Sequence, residues 1–455
     1  MKSNNRIVKS LALLVACLVF FTAAQAQTNP LSLQDALHYA LKNKSAAVKA
    51  RLDQENSQNK IDEAKSQALP QVNATGSLTY NPILQLSAVP GDLAGQPGTT
   101  LLIPFGQKWN SAASVTLSQT LFDKSVFTAL KAAKTTREYY DILAGFTDEQ
   151  VIEQVASQYY QVLVQRQQLV VIDSNIAITT RVKNIIEGQY KNGLAKKIDL
   201  DRSRVNLSNL QARRQQLLNA VQLQENVLKF LMGISIETPI HIPSSVVDSI
   251  QPQLSRLNEL PDVKNLSDYQ VLKKQEELLQ LQKEAHKAAN YPSLALSGTY
   301  GYTGLGNSFP IGKNNGNGAN WFDHASVGLS LRIPLFNGFS TRSKVRQTEV
   351  EIKKLQQDIR DKELSLNLTY QNARTQLENS LITLNTQQEN VALAEEVYAN
   401  TTNNYNQGLA PLTDLLDAQS SLTTAQNNYA AALLDYRLAE IQLMKAQGTL
   451  KTLVN

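Results

Sequence analysis

The sequence predicts a mainly α-helical fold with a β-barrel portion that spans a membrane, and three observations support this fold class. Two stretches, 123–187 and 339–403, contain no proline and little glycine, and each is long enough for a helix of about 96 Å at 1.5 Å per residue. Four shorter segments alternate apolar and small polar side chains, which is typical of strands with two different faces. The motif Tyr-x-x-Gly-Leu-Ala occurs at Tyr190 and again at Tyr405, which indicates an internal two-fold repeat.

Residues 1–26 are predicted to be an export signal. Three basic residues precede an apolar run, and Ala-Gln-Ala at 24–26 forms a cleavage site. The run is shorter than the roughly 20 residues of a membrane-spanning helix. Removing the signal takes away Lys2, Arg6 and Lys9, so the formal net charge falls from +5 to +2. The basic composition is therefore no argument for a nucleic-acid partner.

Cys17 is the only cysteine of the chain, and it lies within this signal. An alternative interpretation takes Leu-Val-Ala-Cys as a lipoprotein acylation motif with cleavage before Cys17. The strongly apolar residues 18–21 that follow fit the middle of a signal better than a mature N-terminus. Under both interpretations the chain leaves the cytoplasm, and the signal interpretation leaves a mature form without cysteine or disulfides.

The alternating segments predict strands at 71–80, 113–122, 293–302 and 325–334. Each has about ten residues, the length of a tilted strand that crosses a bilayer. Strands of a soluble β-sandwich would show the same alternation, because they also have one apolar and one polar face. The polar faces of these segments are almost uncharged, as expected for a water-filled lumen, and this favours membrane strands.

Aromatic residues at the strand ends also favour a membrane, because such residues collect at membrane–water interfaces. Both tryptophans are expected just ahead of the second and fourth strands. The connections 81–110 and 303–324 are rich in Gly, Pro and Asn and are predicted to be loops. The predicted belt at one end comprises Tyr80, Trp109, Tyr300, Tyr302, Trp321 and Phe322, with Phe122 and Phe336 at the other end.

The repeat divides the chain after residue 26 into 27–234 and 263–455, joined by a Pro-containing equatorial segment at 235–262. Each repeat is predicted to hold a helix, two strands and a helical hairpin, with hairpin tips at 190–200 and 405–417. The returning arms 195–232 and 411–447 cover little more than half the length of the outgoing helices. Helices at 266–290 and 32–68 are expected to complete the two returns.

Four strands cannot stand alone in lipid, because the two edge strands would expose unpaired backbone groups. The protein is therefore expected to form an oligomer. Three copies give 12 strands, enough for a water-filled lumen, whereas the eight strands of a dimer would be filled by side chains.

Several motifs occur twice in the same order. Leu69-Pro70 and Tyr291-Pro292 precede strands, Leu-Phe-Asp at 121–123 and Leu-Phe-Asn-Gly at 335–338 follow strands, and both Tyr-x-x-Gly-Leu turns precede an aspartate. With these motifs, nearly all of the mature chain resembles the TolC-like outer-membrane efflux family of outer membrane factors. The resemblance implies a homotrimeric channel with a 12-stranded β-barrel, four strands per protomer, joined to a long periplasmic α-helical barrel.

The resemblance also implies partners and a function. The family contacts outer-membrane lipid, docks onto periplasmic adaptor (membrane fusion) proteins and works with inner-membrane pumps in tripartite efflux or type I secretion. The protein is expected in the cell outer membrane, without cofactor, metal or nucleic acid. The adaptor-docking residues implied at the tips are Tyr190, Gly193, Leu194, Asp199, Tyr405, Gly408, Leu409, Thr413 and Asp414.

Asp414 and Asp417 are three residues apart on one helix face, and the resemblance implies that they form the acidic constriction of the closed pore. An alternative is that they stabilise a helix N-terminus just after Pro411. Some family members carry a basic residue where this chain has Ala410. Lys196 and Lys197 in the first turn either substitute for it or are solvated.

No residues suggest catalysis. His38, His241, His286 and His324 are scattered, and none belongs to a His-x-x-x-His pair. Two other classes are alternatives: a periplasmic coiled-coil adaptor or structural protein, which the long helices permit, and a secreted hydrolase, for which a catalytic cluster is missing.

Overall fold

A computed structural model describes residues 30–95, 97–242, 262–310 and 319–454. The predicted export signal at 1–26, with Cys17, and residues 243–261 of the predicted equatorial segment lie outside the described residues. The α-helices of the described part are α1 (Leu33–Asn43), α2 (Ser45–Ser66), α3 (Lys124–Lys191), α4 (Lys197–Met232), α5 (Ser267–Ala288), α6 (Ser340–Asn406) and α7 (Leu412–Gln447). Its strands are β1 (Gln71–Tyr80), β2 (Leu86–Pro90), β3 (Thr100–Pro104), β4 (Trp109–Phe122), β5 (Ser293–Gly306) and β6 (Ala319–Arg332).

The described residues divide into two compact units. The first is helical and consists of the described residues within Met1–Leu52, Ile142–Gln270 and Arg360–Asn455. The second contains β1 to β6 and consists of the described residues within Asp53–Asp141 and Val271–Ile359. Helices α2, α3, α5 and α6 contribute residues to both units.

The long helices have matched lengths. Helices α3 and α6 contain 68 and 67 residues, and α4 and α7 contain 36 each. Both outgoing helices extend three to four residues beyond the ends predicted at 187 and 403. Among the described helices, none is both long enough and apolar enough to cross a membrane.

The helix predicted at 32–68 is broken at Lys44, and this is a correction. The backbone of Lys44 is extended, with ψ 126°, and separates α1 from α2. Its ammonium group lies 3.6 Å from the centre of the Phe230 ring and donates to the Phe230 carbonyl oxygen at 3.0 Å. The break therefore lets the chain cross the end of α4 closely, a tertiary contact that local sequence does not encode.

The second unit contains a four-stranded antiparallel sheet in the order β1, β4, β5, β6. Strand β1 pairs with β4 from Gln71 opposite Ser118 to Tyr80 opposite Trp109. Strands β1 and β6 are therefore the two edges of this sheet. No partner for their outer edges occurs within the described part of the chain.

Three strands differ from their predicted bounds. Strand β4 begins at Trp109 instead of 113, β5 continues to Gly306 instead of 302, and β6 spans Ala319–Arg332 instead of 325–334. Both tryptophans consequently lie inside strands, where Trp109 faces Tyr80 and Trp321 faces Gly304. The Gly and Asn residues that suggested loops are paired within the sheet, with Asn110 opposite Leu305 and Gly304 opposite Trp321.

The prediction that 81–110 is a loop is also wrong in part, because this segment contains a second, two-stranded sheet. Strands β2 and β3 pair from Leu86 opposite Pro104 to Pro90 opposite Thr100. Of the Gly and Pro residues that suggested a loop, Pro90 and Pro104 are the last residues of the two strands, whereas Pro82, Gly98 and Gly106 lie outside them. The Gly and Pro content of this segment therefore reflects the ends and bends of a hairpin, and the sequence pattern did not reveal its two strands.

The helical unit has its core around Tyr159 and Tyr436, which are both almost fully buried. Leu163 and Leu228 belong to the same cluster. The Tyr159 hydroxyl donates to the Leu31 carbonyl oxygen at 2.9 Å, so a polar tip inside this core keeps a partner.

Residues 235–242 of the equatorial segment are held against α3 and α4. Arg166 pairs with Glu225 at 2.6 Å and donates to the carbonyl oxygen of the buried Ile242 at 2.9 Å. Lys229 donates to the Ile236 carbonyl oxygen at 2.9 Å. These cationic side chains thus donate hydrogen bonds to backbone carbonyl groups that lie outside helices and strands.

Glycines end α4 and α7 in the left-handed conformation, with φ 71° at Gly233 and 73° at Gly448. Both ends are also crowded. A Cβ added at Gly233 would lie 2.7 Å from the Asn43 carbonyl oxygen, and one at Gly448 would lie 2.9 Å from Leu266 Cδ2. Gly233 therefore needs glycine for backbone and for space, because its neighbours are backbone atoms, whereas the neighbour of Gly448 is the end of a leucine side chain.

We expect Gly233→Ala to be more destabilising than Gly193→Ala. Gly193 has φ 72° but no atom within 4 Å of an added Cβ, so its substitution carries only the left-handed backbone cost, about 1–2 kcal/mol. Gly233→Ala adds overpacking against Asn43, roughly 1–3 kcal/mol more. Thermal unfolding of the two variants measures the difference, and equal losses would contradict the steric argument.

Candidate functional site at the helical tips

The first tip is a tight turn between α3 and α4. The N–H of Leu194 donates to the Gln189 carbonyl oxygen at 2.8 Å, and that of Gly193 donates to Tyr190 at 3.0 Å. This pair of bonds is a Schellman motif, which needs the left-handed backbone that Gly193 supplies. Asp199 lies in the first turn of α4, where the helix dipole favours an acid.

The second tip, between α6 and α7, has the same geometry. The N–H of Leu409 donates to the Asn404 carbonyl oxygen at 2.8 Å, and that of Gly408 donates to Tyr405 at 3.0 Å. Gly408 has φ 76°, and an added Cβ would meet no atom within 4 Å. Open space at both turn glycines means that backbone conformation alone demands glycine there.

The two turns expose apolar side chains to solvent. Leu194 is 80% exposed and Leu409 is 74% exposed, and Tyr190 and Ile198 are exposed beside Leu194. Thr413 is exposed near the start of α7. Apolar residues presented in this way at helix ends are typical of a surface that binds a partner.

A small apolar cluster joins the two tips within the helical unit. Its buried members are Ile186 of α3, Leu200 of α4, and Leu412 and Leu415 of α7. Tyr405 packs against this cluster and is only partly exposed. The structure therefore brings the two sequence-predicted turns into one site around these four side chains.

Tyr405 and Asp199 interact across this cluster. Partial burial raises the pKa of the Tyr405 phenol, and the nearby Asp199 carboxylate raises that pKa further. The phenol is neutral at physiological pH, as at its ordinary pKa, and can donate a hydrogen bond. Asp199 of the first tip therefore lies close enough to Tyr405 of the second tip to affect its pKa.

Asp414 and Asp417 are both exposed, while Leu412 and Leu415 between and beside them are buried. The two acids share the face of α7 that points away from the tip cluster. The Thr413 hydroxyl donates to the Asp414 carboxylate at 3.3 Å. Pro411, which precedes α7, offers no side-chain hydrogen bond to the helix N-terminus. Asp414 in the first turn and Asp417 one turn later are the first two acids of this helix.

Sequence reasoning missed Glu187, which gathers three cations at the first tip. Lys183 lies at 2.8 Å from its carboxylate, Lys191 at 3.4 Å and Arg204 at 3.9 Å. The hydrogen bond from Lys183, followed by its charge and by Lys191, lowers the pKa of Glu187. The i,i+4 spacings to both lysines are the sequence signal that could have revealed it. Lys196 and Lys197 form no ion pair within the described residues.

Two buried polar contacts between α3 and α7 were also missed. The Gln419 amide donates to the Thr179 hydroxyl at 2.7 Å, and the Asn175 amide donates to the Thr423 hydroxyl at 2.9 Å. Three of these side chains, Asn175, Thr179 and Gln419, are buried. They fix the register between the two helices because their polar groups have no access to water.

The predicted aromatic belt residues are brought together by the sheet. The Tyr80 and Trp109 rings are 4.6 Å apart, and the Tyr302 and Trp321 rings stack at 4.9 Å. Phe309, which was not predicted, lies 5.1 Å from Trp109. Tyr300 and Phe322 are exposed on the same strands.

Within the described residues, no group of three or more His, Cys, Asp or Glu side chains could hold a metal ion.

The fold and the paired tips define the class of protein. Residues 36–234 and 265–449 match the family described as outer membrane efflux protein, and the chain belongs to this family. It is therefore an efflux protein of the outer membrane, with a periplasmic helical extension.

Two curated relatives are similar over most of their length. The chain is 22% identical to the outer membrane protein TolC of Vibrio cholerae serotype O1 over 396 residues, which cover 86% of this chain and 84% of the relative. It is 23% identical to TolC of Escherichia coli K12 over 415 residues, which cover 88% of this chain and 79% of the relative.

Solved structures share the fold. The outer membrane protein VceC of Vibrio cholerae superposes with a TM-score of 0.69 at 17% identity, covering 91% of this chain and 96% of that one. The CmeC outer membrane channel of Campylobacter jejuni gives 0.69 at 14% identity, covering 92% and 85%. The open-state MtrE outer membrane channel of Neisseria gonorrhoeae also gives 0.69, at 17% identity, covering 93% and 91%.

We expect the ion pairs of Glu187 to stabilise the first tip only above acidic pH. The pKa of Glu187 is lowered by folding, so its contribution is present above the unfolded value of about 4.3 and is lost as pH falls through the lower folded value. Glu187→Gln should therefore speed amide exchange at 186–190 at neutral pH and have no effect at about pH 3. Glu395→Gln, at an exposed acid without an ion pair in the described residues, is the control. A pH-independent effect would contradict this.

Proposed function

We propose that the chain forms a homotrimeric channel of a tripartite efflux or type I secretion system. The observation that carries this proposal is the four-stranded sheet with β1 and β6 at its edges. In a bilayer, unpaired edge groups cost several kcal/mol each, so β1 of one copy would pair with β6 of the next. Three copies would close a barrel of 12 strands around a water-filled lumen.

The aromatic rings support a membrane position for this barrel. Tyr80, Trp109, Tyr302 and Trp321 form two contacting pairs at one end of the sheet. Such rings would lie at the headgroup level, with the apolar strand faces toward lipid.

The helices would form the periplasmic part of the duct. Helices α3 with α4 and α6 with α7 have matched lengths and matched turns, which supports an internal repeat of two hairpins per protomer. Leu194 and Leu409 would be docking points for a periplasmic adaptor, because both are exposed apolar side chains beside a turn glycine.

Asp414 and Asp417 would form the closed constriction. Threefold symmetry would bring six carboxylates around the axis, where like charges attract cations. The competing role, stabilising the N-terminus of α7, uses the same positions. Exposure of both acids, away from the tip cluster, is the observation that favours the pore role.

Export through this duct would be passive. An adaptor that binds the turns would shift the population of tips toward an open state, and the inner-membrane pump would supply the energy. We expect no catalytic step. The alternative, a periplasmic coiled-coil adaptor, would not require a four-stranded sheet with aromatic residues at the strand ends.

Replacing Gly193 and Gly408 together with Leu tests the channel and its docking tips. We expect export to be lost while the protein stays a membrane trimer, because the left-handed strain of about 1–2 kcal/mol per glycine stays local to two exposed turns, whereas the added bulk blocks docking. Gly188→Leu, on α3 with no left-handed backbone, is the control and should keep export. Export assays with membrane extraction and cross-linking measure both. Trimer loss in the double variant would make the glycines folding residues, and a soluble, monomeric wild-type protein would overturn the proposed function.

The double variant Asp414→Ala, Asp417→Ala tests the constriction. We expect higher single-channel conductance in planar bilayers and weaker block by divalent cations, because the like charges at the pore are removed. Asp435→Ala, an exposed acid further along α7, should leave both unchanged. Unchanged conductance and block in the double variant would mean that these acids serve only the helix N-terminus.

A further inference from the structure

The apolar face of the sheet continues onto α3. A bulge between Thr120 and Phe122 shifts the register, so Phe122 lies opposite Leu294. Cross-strand partners share a face, and Leu294 belongs to the apolar face of β5. The Phe122 ring is 6.3 Å from that of Phe127 in the first turn of α3, and both rings are exposed. An apolar surface thus passes from strand to helix through these two rings.

Two exposed cations follow on the same side of α3. Phe127, Lys131 and Lys134 are spaced i, i+4 and i+7, which aligns them along one face of the helix. The buried side of this helix is marked by Thr128 and Thr135. The exposed face therefore changes from apolar strand to aromatic ring to cation within a few turns.

Helix α6 places a cation at the matching position. Its buried side is marked by Thr341 and Thr348, seven residues apart like Thr128 and Thr135. Lys344 follows Thr341 by three residues, as Lys131 follows Thr128, and is exposed. Arg342 and Arg346, one and five positions after Thr341, lie on the other side of this buried stripe at about 100° per residue.

No charge on their own helices neutralises these lysines. Residues 124–137 and 340–348 contain no acid, and Lys131, Lys134 and Lys344 form no ion pair within the described residues. The one acid four residues from Lys134 is Glu138, which pairs with Lys274 at 2.6 Å. The three ammonium groups are therefore available to a negatively charged partner.

We propose that Lys131, Lys134 and Lys344 bind the phosphate groups of phospholipids in the periplasmic leaflet of the outer membrane. This inference rests on the proposed function, because the apolar strand faces must lie against lipid. The order apolar strand, aromatic ring, lysine matches the order hydrocarbon, interface, phosphate across a leaflet. A surface of this kind attracts anionic lipids and sets the depth of the protein in the bilayer.

Spin-label electron paramagnetic resonance in reconstituted bilayers tests this surface. Full-length protein is placed in an equimolar mixture of phosphatidylglycerol and phosphatidylcholine, and the association of each spin-labelled lipid is compared. We expect wild type to prefer phosphatidylglycerol at least about twofold, with the preference lost at about 1 M salt. The triple variant Lys131→Gln, Lys134→Gln, Lys344→Gln should show no preference.

The matched control is Arg342→Gln, Arg346→Gln, Lys353→Gln, which removes the same charge from exposed positions on the other side of α6. It should keep the wild-type preference. The proposal is overturned if wild type shows no preference, if the lysine variant keeps it, or if the control loses it. Current reversal potentials in phosphatidylcholine bilayers are measured in parallel. A shift of the reversal potential in the lysine variant would place these cations in the duct and overturn the proposal. A wild-type protein that conducts no current would instead contradict the proposed channel function.

Discussion

Backbone hydrogen bonding at the sheet edges is the constraint on which the rest of this protein depends. Strands β1 and β6 have no partner for their outer edges within the described chain. The apolar faces of the sheet suit lipid, yet lipid offers nothing to bond an exposed N–H or carbonyl group. The proposed trimer would supply partners for these edges from neighbouring copies. Helix α3 begins two residues after the end of β4, and α6 begins eight residues after the end of β6.

Four glycines end four helices in the same left-handed turn, but the reasons that glycine is required differ between them. Gly193 and Gly408 have open space around them, so only backbone geometry requires glycine. Gly233 lies against Asn43, and Gly448 lies against Leu266, so these two also permit close packing. The turns that end in solvent are thus free to carry exposed Leu194 and Leu409, while the turns that end against other elements contribute to the core.

Local patterns in the sequence carry much of this fold but little of the site. Strand β1 and the lengths of α3 and α6 follow from alternation and from the absence of proline. The break at Lys44 and the hairpin around Leu86 depend on contacts or bends that Gly and Pro counts cannot resolve. The turn glycines could be read from their motif. Leu200 and Leu415 meet only after both hairpins fold, so the cluster that joins the tips is invisible before tertiary structure.

The buried polar pairs between α3 and α7 restrict how the tips can move. Separating the helices at Gln419 would leave its amide and the Thr179 hydroxyl buried without partners, at about 1–3 kcal/mol for each group. The second pair, Asn175 with Thr423, lies one turn further along, and breaking it would leave the buried Asn175 amide without this partner. The half-buried Thr423 hydroxyl would still donate to the Gln419 carbonyl oxygen. Nearer the tip, α7 is held by the side chains of Leu412 and Leu415, whose apolar contacts have no fixed bonding geometry. An opening of the proposed channel that kept both pairs intact would bend α7 before Gln419 or carry α3 and α7 together as one body.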